Sequence, residues 1–330
     1  MQYRRMGKWG LQLSALSFGS WVTFGNQITD SVAEKLMKKA FDSGVNFFDN
    51  AEGYAAGDSE RVMGKLLKKI KFPRDEYIVS SKVYWGAGGK KPNQTGLSRK
   101  HVVEACNDAL KRLQQDYLDL YFCHRPDWNT PIEETVWAMN ILIQQGKVLY
   151  WGTSEWSAQE IMEAHHVAER FNLIGPSMEQ PQYNMFHRER FEKEYKMLYS
   201  HYGMGTTTWS PLASGILTGK YNNGVPDNVR FAREELGGLK RKIFGADIKE
   251  KFAKVEKLKK FAKQYDMTLP QLAIAWCLKN PSVSSVILGA SKIDQLEENL
   301  SAINYYERIS ELLTIEIETI LQNKPHISMF

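Results

Sequence analysis

The short segment Val45 to Lys82 joins three ionisable side chains, Asp49, Tyr54 and Lys82, to two strand-like runs. Val45-Asn46-Phe47-Phe48-Asp49 is a mostly apolar run that ends on a carboxylate, and Tyr77-Ile78-Val79-Ser80-Ser81-Lys82 is a second that ends on an amine. Between them, Asn50-Ala51-Glu52-Gly53-Tyr54 reads as a loop and Glu60–Lys69 as a helix. A carboxylate and an amine at the carboxyl ends of successive parallel strands lie on the same side of a sheet. A tyrosine on the loop just beyond the first strand can swing between them. A phenol beside an ammonium suits proton donation, because the positive charge favours phenolate and lowers the phenol pKa.

The elements that must hold these groups follow from alternating strand-like and helix-like stretches. Met6–Leu13 predicts a tight hairpin with Gly7 and Gly10 in the turn, placed to plug one end of a larger body. Asp30 is the expected N-cap of a helix through Asp42, which Gly44 terminates. Further helices are expected at Ser98–Gln114, Pro131–Gln145, Ser157–Phe171, Arg188–Tyr202, Lys249–Lys263 and Leu269–Lys279, and near Lys292–Ala302 and Glu307–Leu321. Core strands end near Gly19, Asp49, Lys82, His124, Ser154, Gln180, Ser210 and Gly289. Eight strands separated by helices imply parallel pairing with right-handed crossovers, hence a (β/α)8 barrel carrying an N-terminal hairpin and extra C-terminal helices. No glycine-rich dinucleotide fingerprint follows the first strand, which argues against a doubly wound sheet. No linker divides the chain, so residues 1–330 read as one domain. The long loops Trp85–Gly96 and Leu212–Leu239 fall after the third and seventh strands, on the face where barrel loops close over ligands.

Composition narrows the function classes. A chain of 330 residues with 43% hydrophobic and 25% charged residues is that of a soluble globular protein. The net charge of +5 is spread along the chain, which does not imply nucleic acid. Cys106, Cys123 and Cys277 lack any paired spacing and are expected as reduced, buried thiols without zinc. His165-His166 has no second ligand spacing, and no metal is expected. Gly215-Ile216-Leu217-Thr218-Gly219-Lys220 is one residue short of a nucleotide P-loop and is followed by Tyr221, not Ser or Thr, so ATP is rejected. With no membrane-length apolar run and no leader pattern, the expected location is cytoplasmic.

Closing the strand ends into a ring brings Asp49, Lys82 and His124 together with Tyr54 above them, four polar groups at one barrel mouth. At this point the chain resembles the aldo-keto reductase superfamily along nearly its whole length, most of all the branch containing the β-subunits of voltage-gated potassium channels. The resemblance is carried by Phe48-Asp49-Asn50-Ala51-Glu52-Gly53-Tyr54, Ser81-Lys82-Val83-Tyr84-Trp85, His124-Arg125-Pro126-Asp127, Trp151-Gly152-Thr153-Ser154, Thr208-Trp209-Ser210-Pro211-Leu212 and Leu288-Gly289-Ala290-Ser291.

The resemblance implies a catalytic tetrad of Asp49, Tyr54, Lys82 and His124, with NADPH as hydride donor to an aldehyde or ketone. Ser154 and Gln180 would hold the nicotinamide carboxamide and Trp209 would stack on its ring. Ser210, Leu212, Ser214, Gly215 and Lys220 would surround the pyrophosphate. Arg230, Gly289, Ser291, Gln295, Glu298 and Asn299 would hold the adenosine end, with Ser291 at the 2′-phosphate. Trp21, Tyr84, Trp85 and Trp128 would form an apolar substrate wall, Trp21 also reaching the cofactor. A homotetramer and a potassium-channel partner are implied by the same branch. The alternative to an enzyme is therefore a cofactor-binding, redox-sensing channel subunit. Two positions depart from the branch: its members commonly carry Asn at the place of His124, and arginine at the place of Glu155 beside the cofactor serine.

Overall fold

The computed structural model describes residues 1–222, 224 and 244–327. Eight parallel strands close into a barrel: β3 (Leu16–Gly19), β4 (Phe47–Asp49), β5 (Ile78–Val83), β6 (Leu118–Cys123), β7 (Val148–Thr153), β8 (Met178–Glu179), β9 (Gly205–Thr208) and β10 (Ser285–Leu288). The ring is sealed by β10 against β3, Val286 opposite Leu16 and Leu288 opposite Phe18. All of these strands are buried along their length except at Leu149 and Tyr150, which is why they read as near-continuous runs of apolar or small residues.

Alternation along the strands sorts side chains into an inner and an outer set. Phe47, Ile78, Leu120, Phe122, Met178 and Ile287 form an inner apolar cluster with Met6 and Leu13 of the N-terminal segment. Strands β1 (Tyr3–Arg5) and β2 (Gln12–Ser14) pair antiparallel, Arg5 opposite Gln12, and insert Met6 into the barrel floor. The hairpin expected there exists, but its loop is six residues, 6–11, and only Gly7 takes a left-handed φ of 60°. Gly205 makes room for the plug, because a Cβ there would lie 2.6 Å from the Met6 side chain.

The surrounding helices fall close to their expected positions. They are α1 (Asp30–Asp42), α2 (Asp58–Ile70), α3 (Arg99–Leu113), α4 (Ile132–Gln144), α5 (Ala158–Phe171), α6 (Ile248–Gln264), α7 (Leu269–Lys279), α8 (Ile293–Ser301) and α9 (Glu311–Leu321). The cap of α1 is Thr29, whose hydroxyl accepts from Val32 N, and Asp30 instead supplies first-turn negative charge. Ser157 with Glu160, and Thr268 with Gln271, form capping boxes that start α5 and α7. The helix expected over Arg188–Tyr202 is broken into two wide, π-type turns, 190–194 and 198–202, where bulky Phe191, Tyr195 and Tyr199 recur every fourth residue. The three cysteines are buried and unbridged. Among the described residues, no helix is long and apolar enough to cross a membrane.

Candidate active site

The inner face of each strand changes from apolar at the floor to polar at the carboxyl end. Two residues beyond Phe47 stands Asp49; Ile78 is followed on the same face by Ser80 and Lys82, Phe122 by His124, Met178 by Gln180 and Gly205 by Thr207 and Trp209. The barrel thus collects charge at one mouth above a dry floor.

There, Lys82 is fully buried and donates to Asp49 Oδ2 at 2.6 Å, to the Asn50 carbonyl at 2.7 Å and to the Tyr54 hydroxyl at 3.0 Å. The other Asp49 oxygen accepts from Ser80 Oγ at 2.8 Å and Gln180 Nε2 at 3.0 Å. Tyr54 begins a tight turn in which Ala55, Ala56 and Gly57 all take positive φ, a strained backbone that holds the phenol over the amine. The His124 ring meets Tyr54 edge-on, centroids 5.7 Å apart. The four residues expected to converge do so.

Burial decides the electrostatics. Desolvation works against the Lys82 charge, yet Asp49 and Tyr54 outweigh it and hold the ammonium above the ordinary lysine value. Tyr54 moves upward as well: burial raises it more than Lys82 lowers it, and Asp49 adds to the rise. The downward shift expected from the ammonium alone is therefore reversed, and the phenol keeps its proton. Desolvation, aided by the charges of Lys82 and Arg125, pushes His124 well below its usual range, so the ring is neutral. Its buried Nδ1 has no hydrogen-bond partner among the described residues. A proton there would be an orphaned buried donor, so the neutral ring carries it on Nε2.

The remaining expected residues lie around this cluster. Ser154 donates to the Gln180 carbonyl at 2.8 Å, and Gln180 is also bonded to Thr207 Oγ1 at 3.1 Å. Trp209 is half-buried, and its indole N–H donates to Glu155. Ser210, Ser214 and Gly215 take positive φ in the turn after β9, where Ser214 N donates to Ser210 Oγ at 2.9 Å. Leu212 opens this turn; Lys220 follows it, and a Cβ on Gly215 would lie 3.2 Å from Lys220 Cε. At the entrance to α8, Ser291 bonds to Gln295 Oε1 through both its amide and its hydroxyl, and Asn299 reaches the Gly289 carbonyl at 3.5 Å. Glu298, on the same helix, is half-buried. Arg230 lies outside the described residues. On the rim, Tyr84 packs edge-on against Trp85 at 4.7 Å, with Trp21 and Trp85 about half exposed. Trp128 stands apart from this pair: it is 91% exposed and donates to Glu160 on α5.

Several participants escaped sequence reasoning. Glu52 Oε1 accepts from Tyr84 N at 2.7 Å and Gly86 N at 2.9 Å, tying the Tyr54 loop to the long loop after β5. Ser80, two residues before Lys82, shares its inner face, and strand parity alone could have found it. Glu155, which departs from the resembled branch, does not offer a free charge: its carboxylate lies 3.4 Å from Arg190 and accepts from Gln182 N at 2.6 Å.

The Aldo/keto reductase family pattern matches residues 15–316. This chain belongs to the aldo/keto reductase family. It shares that family's oxidoreductase chemistry on carbonyls, which generally uses NAD(P)H. It is 50% identical over 326 residues to a protein of Arabidopsis thaliana named "Probable voltage-gated potassium channel subunit beta", covering 98% of both chains. A protein of the same name from Oryza sativa subsp. japonica is likewise 50% identical over 326 residues, again with 98% of both chains covered.

Proposed function

We propose that this aldo/keto reductase is an NADPH-dependent reductase of aldehydes and ketones in which Tyr54 donates the proton. The observation that carries the reading is the buried chain Tyr54 OH, Lys82 Nζ, Asp49 Oδ2, with links of 3.0 and 2.6 Å.

The residues fit an anionic dinucleotide. Lys220 adjoins a turn of small side chains, Gly289 has open space where a Cβ would stand, and the nearby Glu155 carboxylate is paired with Arg190. Ser154 and Gln180 would hold the nicotinamide end, Trp209 its ring, and Ser291, Gln295, Glu298 and Asn299 the adenosine end. NADPH, when bound, supplies the hydride.

The chain's own groups do the rest. Tyr54, kept protonated by burial, hydrogen-bonds the carbonyl oxygen and passes its proton as negative charge develops there. Lys82 stabilises the phenolate left behind, and Asp49 keeps Lys82 charged and aimed. Neutral His124, with Nε2–H as its donor, orients the same oxygen without adding a competing acid. Tyr84, Trp85 and Trp21 offer an apolar rim for the organic part of the substrate.

A second reading, a redox-sensing subunit of a potassium channel, is favoured by the names and full-length likeness of the two plant relatives. It would combine tight cofactor retention with little turnover, a tetrameric assembly and a stable complex with a channel domain. The test is NADPH oxidation with a panel of aldehydes, comparing wild type with Tyr54→Phe. Lys82 keeps two of its three partners in that variant, so NADPH binding should persist while turnover falls about 10²–10⁴-fold. Equal turnover by both proteins would remove Tyr54 from its role.

A further inference from the structure

Glu155 follows Ser154 and takes a left-handed φ of 61°. In a residue without glycine's freedom this backbone costs about 1 kcal/mol or more, so its surroundings must hold it. They do. Its amide donates to Glu179 Oε1 at 2.5 Å, and its carbonyl accepts from Arg190 Nη1 at 2.9 Å. The turn directs the side chain across the ends of three neighbouring strands: Glu155 itself follows β7, Gln182 follows β8 and Trp209 follows β9. A single oxygen, Oε1, accepts from the Gln182 amide at 2.6 Å and from the Trp209 indole at 3.1 Å.

An indole carries one polar atom, on its edge. A carboxylate gripping that edge selects the rotation of the ring and leaves both faces available for stacking. The Gln182 amide in turn fixes the carboxylate. The Arg190 contact, 3.4 Å from the other oxygen, is longer and its side chain is 31% exposed, so the ion pair is the weaker of the interactions.

We propose that Glu155 is a positioning residue that fixes the plane of Trp209 by accepting its indole N–H, and thereby sets the surface presented to the nicotinamide. This deepens the reading above and rests on it for the identity of the ligand. It also reverses a simple electrostatic expectation. If Glu155 acted only as a charge beside a polyanion, removing it would tighten NADPH binding; as the clamp on Trp209, its loss loosens binding.

Two measurements on the full-length protein test this. In the cofactor-free protein labelled with 15N-tryptophan, Trp209→Phe assigns the Trp209 indole among the nine present. Glu155→Asn suits positive φ but is one methylene too short to keep the clamp. It should move that resonance upfield in the proton dimension and broaden it, whereas Glu155→Gln, which keeps an acceptor at the same reach, should leave it close to its original place. NADPH affinity, followed by fluorescence, should fall about tenfold for Glu155→Asn. In a Trp209→Phe background, where no indole N–H exists, the same change should cost less than about twofold. Glu155→Gly, equally suited to the backbone, repeats the test if the asparagine variant does not fold.

An unmoved resonance in Glu155→Asn, the same loss of affinity in both backgrounds, or tighter NADPH binding by Glu155→Asn would each overturn the proposal. Failure of the wild type to bind NADPH, with the resonance still governed by Glu155, would overturn the cofactor reading alone and uphold the grip on the ring.

Discussion

Replacing Glu179 by Gln should change how the stability of this protein depends on pH. Glu179 is the outward-facing neighbour of Gln180 and is fully enclosed between β8 and the residues packed outside it. Its oxygens meet the Thr153 hydroxyl, the Glu155 amide and, at 3.4 Å, the Tyr195 hydroxyl. Burial, with the Glu155 charge adding to it and the Thr153 hydrogen bond opposing, lifts its carboxyl from 4.5 to about 8. Between those values the folded chain keeps a proton that the unfolded chain releases. The folded state therefore binds more protons, and stability is greatest below 4.5, falls as pH rises through the window, and stops falling above about 8. The shift is worth at most about 5 kcal/mol. At this chain length 1 kcal/mol moves Tm by roughly 1.5 °C. The neighbouring Arg190 and Tyr195 are both shifted upward, out of the window, so neither contributes there. Glutamine keeps an acceptor for Glu155 N and a donor for Thr153 but cannot ionise. Tm should be measured for wild type and Glu179→Gln from pH 5 to 8.5. The wild type should lose about 3–7 °C relative to the variant across that range. A difference in Tm that is constant with pH would show that Glu179 ionises alike in both states and refute the argument.

Other outcomes follow from the same geometry. Since His124 is neutral well below 6.5 and Tyr54 is raised above 10, turnover should be flat through neutral pH and decline only on the alkaline side, as Tyr54 loses its proton; a break near pH 6.5 that vanishes in His124→Asn would contradict this. NADPH should bind more tightly than NADH, and Ser291→Asp should narrow the gap by about tenfold or more through repulsion at the 2′-phosphate, as read from the ratio of the two dissociation constants. Gly205→Ala drives a Cβ to 2.6 Å from Met6 Cγ and 2.7 Å from the Met6 backbone, so unfolding in urea should show a loss of about 1–3 kcal/mol from overpacking.

Much of this architecture was legible because one period governs it. Strand parity carries the reader from Phe47 to Asp49, from Phe122 to His124 and from Met178 to Gln180, so counting strand ends located both the barrel and its polar mouth. Local rules failed where the deciding partner is distant in sequence. The sign of the Tyr54 shift depends on its enclosure at the mouth, and the sequence displays the neighbouring lysine but not the burial. For Glu155 the sequence left both directions of the side chain open, because nothing local reveals that Arg190, Gln182 and Trp209 meet it. The helix over residues 188–202 has sound helical spacing, yet its aromatic residues sit in turns wider than an α-helix allows. Thr29 outcompeted Asp30 as a cap by a single position, within the scatter of helix boundaries.

The seam between β10 and β3 joins residues some 270 positions apart, and Met6 rests on Gly205 across nearly 200. A ribosome makes the plug and the first stave before the other staves, but neither can be seated until the last strand has emerged. During synthesis the growing sheet must therefore wait with two unpaired edges and an open base. Tight loops between neighbouring staves can form early; final closure is a long-range event that brings high contact order and slow, all-at-once consolidation. Chains that end just before Ser285 should accumulate as sticky, chaperone-bound open rings of seven staves, not as smaller working barrels.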